Sequence, residues 1–183
     1  MLDINREFVE HWVKIHDDKF RWSVALQVEM EIREWLAKQP EPKYFDEEHF
    51  VKLDKWKTPR QEENYKCNDE SLIKEATRLA YEVSHERLKL HILRVLKGVG
   101  VPVASTFLHF LHPDKFPIFD VRVRSSLKKA GKWNRSVDDA SDSAWLEYVD
   151  IMRGLSQELS VSLRELDKAL WAYDKWGINT WSC

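Results

Sequence analysis

The chain has 183 residues, with 29 Lys and Arg against 31 Asp and Glu and a formal net charge of −2. That length suits one domain with a proper core, and the near-neutral balance removes composition as a sign of nucleic-acid binding. Cys67 and Cys183 give neither a disulfide framework nor metal spacing, and no apolar run has the length of a membrane span or the form of a leader, so a cytoplasmic location is expected.

Phe8, Val9, Trp12, Val13 and Ile15 recur at helical spacing and predict an amphipathic helix over roughly the first fifteen residues. After Asp17-Asp18 a second helical pattern runs from about Phe20 to Ala37, carrying Trp22, Val24, Leu26, Val28, Ile32, Trp35 and Leu36. Gln39-Pro40-Glu41-Pro42 ends it, because proline cannot continue the ladder. Phe45-Asp46-Glu47-Glu48 opens the next helix, which runs to Trp56, and Lys57-Thr58-Pro59-Arg60-Gln61 breaks it. Asn68 or Asp69 caps a helix bearing Leu72, Ile73, Ala76, Leu79 and Ala80, and Ser84 starts another that ends near Leu96.

Leu96-Lys97-Gly98-Val99-Gly100-Val101-Pro102-Val103-Ala104 then turns the chain tightly between two helices. Glycine at such a turn serves backbone freedom alone in many proteins. It also leaves amides at the positive end of the following helix, where an anion binds well. That helix, Val101 to about His112, is apolar all round and belongs in the centre of a domain. Phe116-Pro117-Ile118-Phe119 leads to Asp120, and Val121 to Ala130 forms a basic helix ended by Gly131. From Lys115 to Arg135, Asp120 is the only acid among seven cations, a run that serves either as a solvated face or as a phosphate surface. Trp133 to Ser143 reads as a loop, Trp145 to Met152 marks a helix, and Ser162-Leu163-Arg164-Glu165 is a capping box opening the last one. Nothing alternates long enough to be a strand, so the fold class is all-α.

Several groupings carry no chemistry at this level. His85, His91, His109 and His112 lack transition-metal spacing, so no metal site is expected. The nine tryptophans mostly fall at helical spacing and are expected in the core. Ser105 has no triad partner legible in sequence.

The hairpin and the Pro-x-x-Asp segment together resemble the helix-hairpin-helix DNA glycosylases of base-excision repair. Leu96, Gly98, Val99, Gly100 and Ala104 match the hairpin motif, and Pro117 and Asp120 match the second, at family spacing. Phe116-Pro117-Ile118-Phe119-Asp120 is similar to the adenine-glycosylase branch, and the C-terminal helix is similar to that of small 8-oxoguanine-glycosylase-like bacterial proteins. The resemblance implies a helix-hairpin-helix glycosylase-like helical domain with an active-site cleft, spanning 1–183. Residues 53–131 would carry the hairpin and the catalytic motif, with 1–52 and 141–183 as flanking helices.

By the same resemblance the protein excises a flipped damaged or modified base from double-stranded DNA, an oxidised purine such as 8-oxoguanine first among them. Asp120 would be the catalytic carboxylate. Gly98, Val99, Gly100, Lys97, Arg122 and Arg124 would hold DNA phosphates, and Trp56, Lys57, Arg60, Gln61, Asn64, Pro102 and His109 are candidates for the base pocket. Pro102 stands where bifunctional members have a nucleophilic lysine, so water is the expected nucleophile unless another lysine such as Lys57 reaches the sugar. No cofactor is expected beyond a monovalent cation at the hairpin, which the family uses, and two cysteines exclude the branch with a four-cysteine iron–sulfur cluster. A monomer with no membrane partner is expected. Two other readings stay open: a DNA-binding module that keeps the hairpin without chemistry, and a protein-interaction domain that uses surface tryptophans.

Overall fold

Most helices begin where a short polar side chain can accept an otherwise orphaned amide hydrogen bond. Asn5, Ser23, Asp46, Asp69, Ser141 and Ser162 each do so, capping α1 (Arg6–Phe20), α2 (Val24–Lys38), α3 (Glu47–Lys57), α5 (Glu70–Glu82), α9 (Asp142–Leu159) and α10 (Leu163–Trp176). Each such cap stabilises its helix by about 1 kcal/mol. The capping box at Ser162 and Glu165 forms in both directions. Asp69, rather than Asn68, caps α5, and His85 caps α6 (Glu86–Leu93) where the sequence suggested Ser84. Phe20 ends α1 instead of starting α2. The remaining helices are α4 (Glu62–Tyr65), α7 (Val101–Leu111) and α8 (Val121–Lys129).

The computed structural model describes residues 2–58 and 62–177, the side chain of Glu62 excepted. Among the described residues every regular element is a helix, and no helix is long and apolar enough to cross a membrane. The chain divides into two compact units, one of Met1–Arg21 with Asp114–Cys183 and one of Trp22–Pro113.

In the first unit α10 packs against α1, α8 and α9. Leu166, Leu170, Trp145, Tyr148 and Met152 form its core, and Trp133 is buried although it lies in a loop. In the second unit α7 is the centre: all of its residues except Pro102 are buried. Phe107 stacks on Phe50 at 5.0 Å and meets Phe45 edge-on at 4.9 Å. Around it stand α2, α3, α5 and α6. Trp22 departs from the expected core tryptophans, since it lies in the turn before α2 and is 87% exposed.

Candidate functional site

In the second unit the glycine turn is built by side chains that arrive from α4 and its following loop. Gly98 has φ +86°, a region that L side chains avoid. A Cβ there would lie 2.7 Å from Cε1 of Tyr65, a fully buried ring, and 3.2 Å from Cβ of Asn64. Asn68 fixes the same turn through its amide: Oδ1 accepts from the Lys97 N–H at 2.6 Å, and Nδ2 donates to the Lys97 carbonyl at 3.0 Å. The Val99 amide already donates to the Leu96 carbonyl at 3.1 Å. Among the described residues, no backbone carbonyl accepts from the amides of Gly98 or Gly100.

Gly100 is the N-cap of α7, has no side-chain cap bond, and is followed by a first turn free of acids. The positive end of the helix dipole therefore has no capping side chain or first-turn acid of its own, an arrangement that suits an anion. Pro102 sits in that first turn, where its missing N–H costs nothing. The Lys97 side chain is exposed beside the turn.

The first unit positions Asp120 by anchoring the apolar run before it. Phe116 stacks on Trp145 at 5.8 Å, and the Arg153 guanidinium covers its ring at 5.1 Å. The Tyr148 hydroxyl donates to the Ile118 carbonyl at 2.8 Å, and its ring meets Phe119 edge-on at 5.1 Å. Burial pushes the Tyr148 phenol well above its ordinary pKa, so it stays a donor. Asp120 follows this pinned segment, is half-buried, and caps α8 by accepting from the Arg122 N–H at 2.9 Å.

The other predicted contacts divide by exposure. Arg124 requires correction as a phosphate contact, because it is 4% exposed and committed inward. It donates to the Asp139 carbonyl at 2.6 Å and stands over the Phe119 ring at 3.9 Å, so it braces the segment that carries Asp120. Burial lowers its pKa. Arg122 is exposed and pairs with Asp174 at 3.3 Å. The rest of the basic run is partly neutralised, Lys129 by Asp174 and Arg135 by Glu147 and Asp139.

Among the pocket candidates, Asn64 lies beside Gly98 and Pro102 beside Gly100. His109 lies seven residues beyond Pro102, roughly 10 Å along α7. It is fully buried, with Nε2 3.0 Å from Arg33 Nη2, which corrects its place in the pocket. Trp56 is half-buried, donates to the Ala25 carbonyl at 2.9 Å, and meets Phe110 edge-on at 6.0 Å. Lys57 is the half-buried last residue of α3. Arg60 and Gln61 lie outside the described residues. Among those described, no group of three or more His, Cys, Asp or Glu side chains is arranged to hold a metal ion. Tyr65 and Asn68, which shape the turn, gave no functional signal in sequence, because both act across about thirty residues.

The glycine turn at an uncapped helix N-terminus and the helices that make up every described element agree with the family match in giving a helix-hairpin-helix, glycosylase-like fold. More narrowly, the chain belongs to the family described as "Putative 8-oxoguanine DNA glycosylase OGG-like protein", which matches residues 64–171. The match begins at Asn64 and takes in Asn68, the hairpin, α7, Asp120 and most of α10. Comparison with curated proteins and with solved structures returned no match.

Proposed function

We propose that the protein is a DNA glycosylase that hydrolyses the N-glycosidic bond of a damaged or modified base, with 8-oxoguanine as the leading substrate. The observation that carries this reading is a family match that includes both the glycine hairpin and Asp120. The hairpin amides take a backbone phosphate of double-stranded DNA, and a monovalent cation held by hairpin carbonyls would add to that attraction. Asp120 faces the deoxyribose as the base leaves and positive charge develops at C1′, a transition state of oxocarbenium character.

A carboxylate about 4 Å from that charge, in a partly screened site, supplies on the order of 4 kcal/mol, roughly a thousandfold in rate. The same carboxylate orients the attacking water. Pro102 at the position of the family's nucleophilic lysine supports hydrolysis without a Schiff base.

The test is base release from duplexes carrying 8-oxoguanine, uracil, alkylated or mismatched bases, developed with alkali and, separately, with borohydride. Wild type should release one class of base and give no borohydride-trapped adduct. Asp120→Asn should lose about a thousandfold in rate while keeping affinity for abasic DNA. Full activity in Asp120→Asn would remove the mechanism, and a trapped adduct would restore a lysine nucleophile. Pro102 in place of the hairpin lysine also fits one other reading, a DNA-binding module without chemistry, which predicts binding to every duplex and release from none.

A further inference from the structure

Leu72 and Leu79 on α5, Leu88 on α6 and Val95 in the turn that ends it are large apolar side chains left in water, from 38% exposed at Leu79 to 61% at Val95. Each pair is seven residues apart, so each keeps to one face of its helix.

Two sets of hydrogen bonds fix how these helices lie. The Asn68 amide, just before α5, bonds both backbone groups of Lys97, and Lys89 Nζ donates to the carbonyls of Ala80 and Tyr81 at 2.7 and 2.8 Å. The helices are therefore antiparallel, with Leu72 level with Val95 and Leu79 level with Leu88. On α5 the Thr77 hydroxyl accepts from the Phe45 N–H before α3, and Leu72 and Leu79 stand about 140–160° around the helix from it, on the flank beside α6. On α6 the α5-facing Lys89 separates buried Leu90 and Leu93 from Leu88 and Val95. The four exposed side chains thus line the outer side of one seam, and a continuous apolar strip on a surface marks an interaction site.

Charges of opposite sign border the strip. Glu75 and Glu82 continue the Leu72–Leu79 row on α5, while Arg87 and Arg94 stand beyond Leu88 and Val95 on the far side of α6, and all four are exposed. By the same register Glu82 lies within a turn of the level of Arg87, and Glu75 within a turn of that of Arg94.

We infer that this face pairs with a second copy of the chain about a two-fold axis parallel to α5 and α6. Such a rotation keeps every residue at its level and lays α5 of one copy over α6 of the other. The apolar strips close on each other, and Glu82 and Glu75 meet the partner's Arg87 and Arg94. A two-fold dimer needs a patch complementary to itself, which an apolar strip with one acidic and one basic edge supplies. The acids would repel a DNA phosphate at this face. A helix of this length spans about 20 Å and a pair is about 20 Å wide, so the face covers about 400 Å², half of a standard partner's share. The dimer is therefore weak, and the single chain expected from sequence is its dilute form. The pairing is independent of the glycosylase reading.

The test is sedimentation velocity of the full chain from low micromolar to millimolar concentration, at low and high salt. Wild type should pass from monomer to dimer, less readily in high salt. Leu88→Glu puts a charge into the strip and should stay monomeric, with a melting temperature near wild type because the position is half exposed. Glu82→Arg and Arg87→Glu should each raise the dissociation constant about tenfold, since the symmetry repeats the change. Both together should return it to within about threefold of wild type, because each pair is only reversed.

A wild type that is monomeric at the highest concentration overturns the inference and leaves the face to a different protein. A dimer that Leu88→Glu leaves intact overturns it as well. Single charge reversals without effect, or a double reversal no better than either single one, rule out α5 lying over α6 of a second copy. Those two exposed positions decide alone if Leu88→Glu does not fold.

Discussion

Replacing each hairpin glycine by alanine separates what shapes the turn from what binds at it. At Gly98 a methyl group meets the Tyr65 ring at 2.7 and 2.8 Å, and φ is +86°. The left-handed backbone costs an alanine about 1–2 kcal/mol. Forcing a carbon against a fully buried ring adds about 1–3 kcal/mol. The sum, roughly 2–5 kcal/mol, lowers the melting temperature by about 5–15 °C in a chain of this size.

Gly100 differs in every respect. Its backbone is extended at φ −87° and ψ −180°, it is exposed, and a methyl there finds only Pro102 Cδ at 3.8 Å. Gly100→Ala should therefore unfold within about 0.5 kcal/mol of wild type. If a phosphate approaches the α7 amides, the same methyl stands in its path. Losing a charge-assisted hydrogen bond of about 1.5–3 kcal/mol weakens DNA binding roughly tenfold to a hundredfold. Thermal melts and anisotropy titrations of both variants decide the matter. Wild-type affinity in Gly100→Ala would show that no anion approaches this turn closely. An unchanged melt in Gly98→Ala would show that Tyr65 is not what fixes its shape.

Asp54 offers a test through pH. Its carboxyl is buried, neither oxygen has a hydrogen-bond partner among the described residues, and burial pushes its pKa from 3.8 up to about 8. Between those values the unfolded chain has released a proton that the folded one keeps, so stability falls as pH rises from about 4 to about 8. Each pH step across that window removes up to about 1.36 kcal/mol, less where the folded chain relaxes around the charge. Asp54→Asn abolishes the dependence, and its advantage over wild type should grow by a few kcal/mol between urea titrations at pH 5 and pH 8. A difference independent of pH would refute it. Arg124→Met should lower stability by about 2–4 kcal/mol through the lost Asp139 bond and the emptied face of Phe119, with no change in the salt dependence of DNA binding. Arg122→Ala, at an exposed cation, should leave the melt in place and reduce the salt slope by about one. A reversal of those two outcomes would return Arg124 to the phosphate surface.

The amino-acid sequence by itself determined the features that depend on neighbours within one or two turns. The Ser162–Glu165 box, the Asp46 and Asp69 caps, the wholly apolar helix behind the hairpin and Asp120 at the head of α8 are all of this kind, because capping and periodicity act over three or four residues. Helix boundaries near Phe20 and Ser84 were less legible, since apolar spacing continues through a turn that a cap interrupts.

Only the tertiary structure decided which of those features stay exposed and which are paired or buried. The cations of α8 read as unopposed until Asp174 arrives from α10, about fifty residues on, to pair with Arg122 and Lys129. Arg124 and Arg122, two residues apart, diverge because a helix turns about 200° between them, sending one guanidinium inward over Phe119 and the other to the surface. The shape of the glycine turn belongs to Tyr65 and Asn68, whose contacts cross about thirty residues. Such contacts depend on how helices meet, and a local pattern carries no record of that.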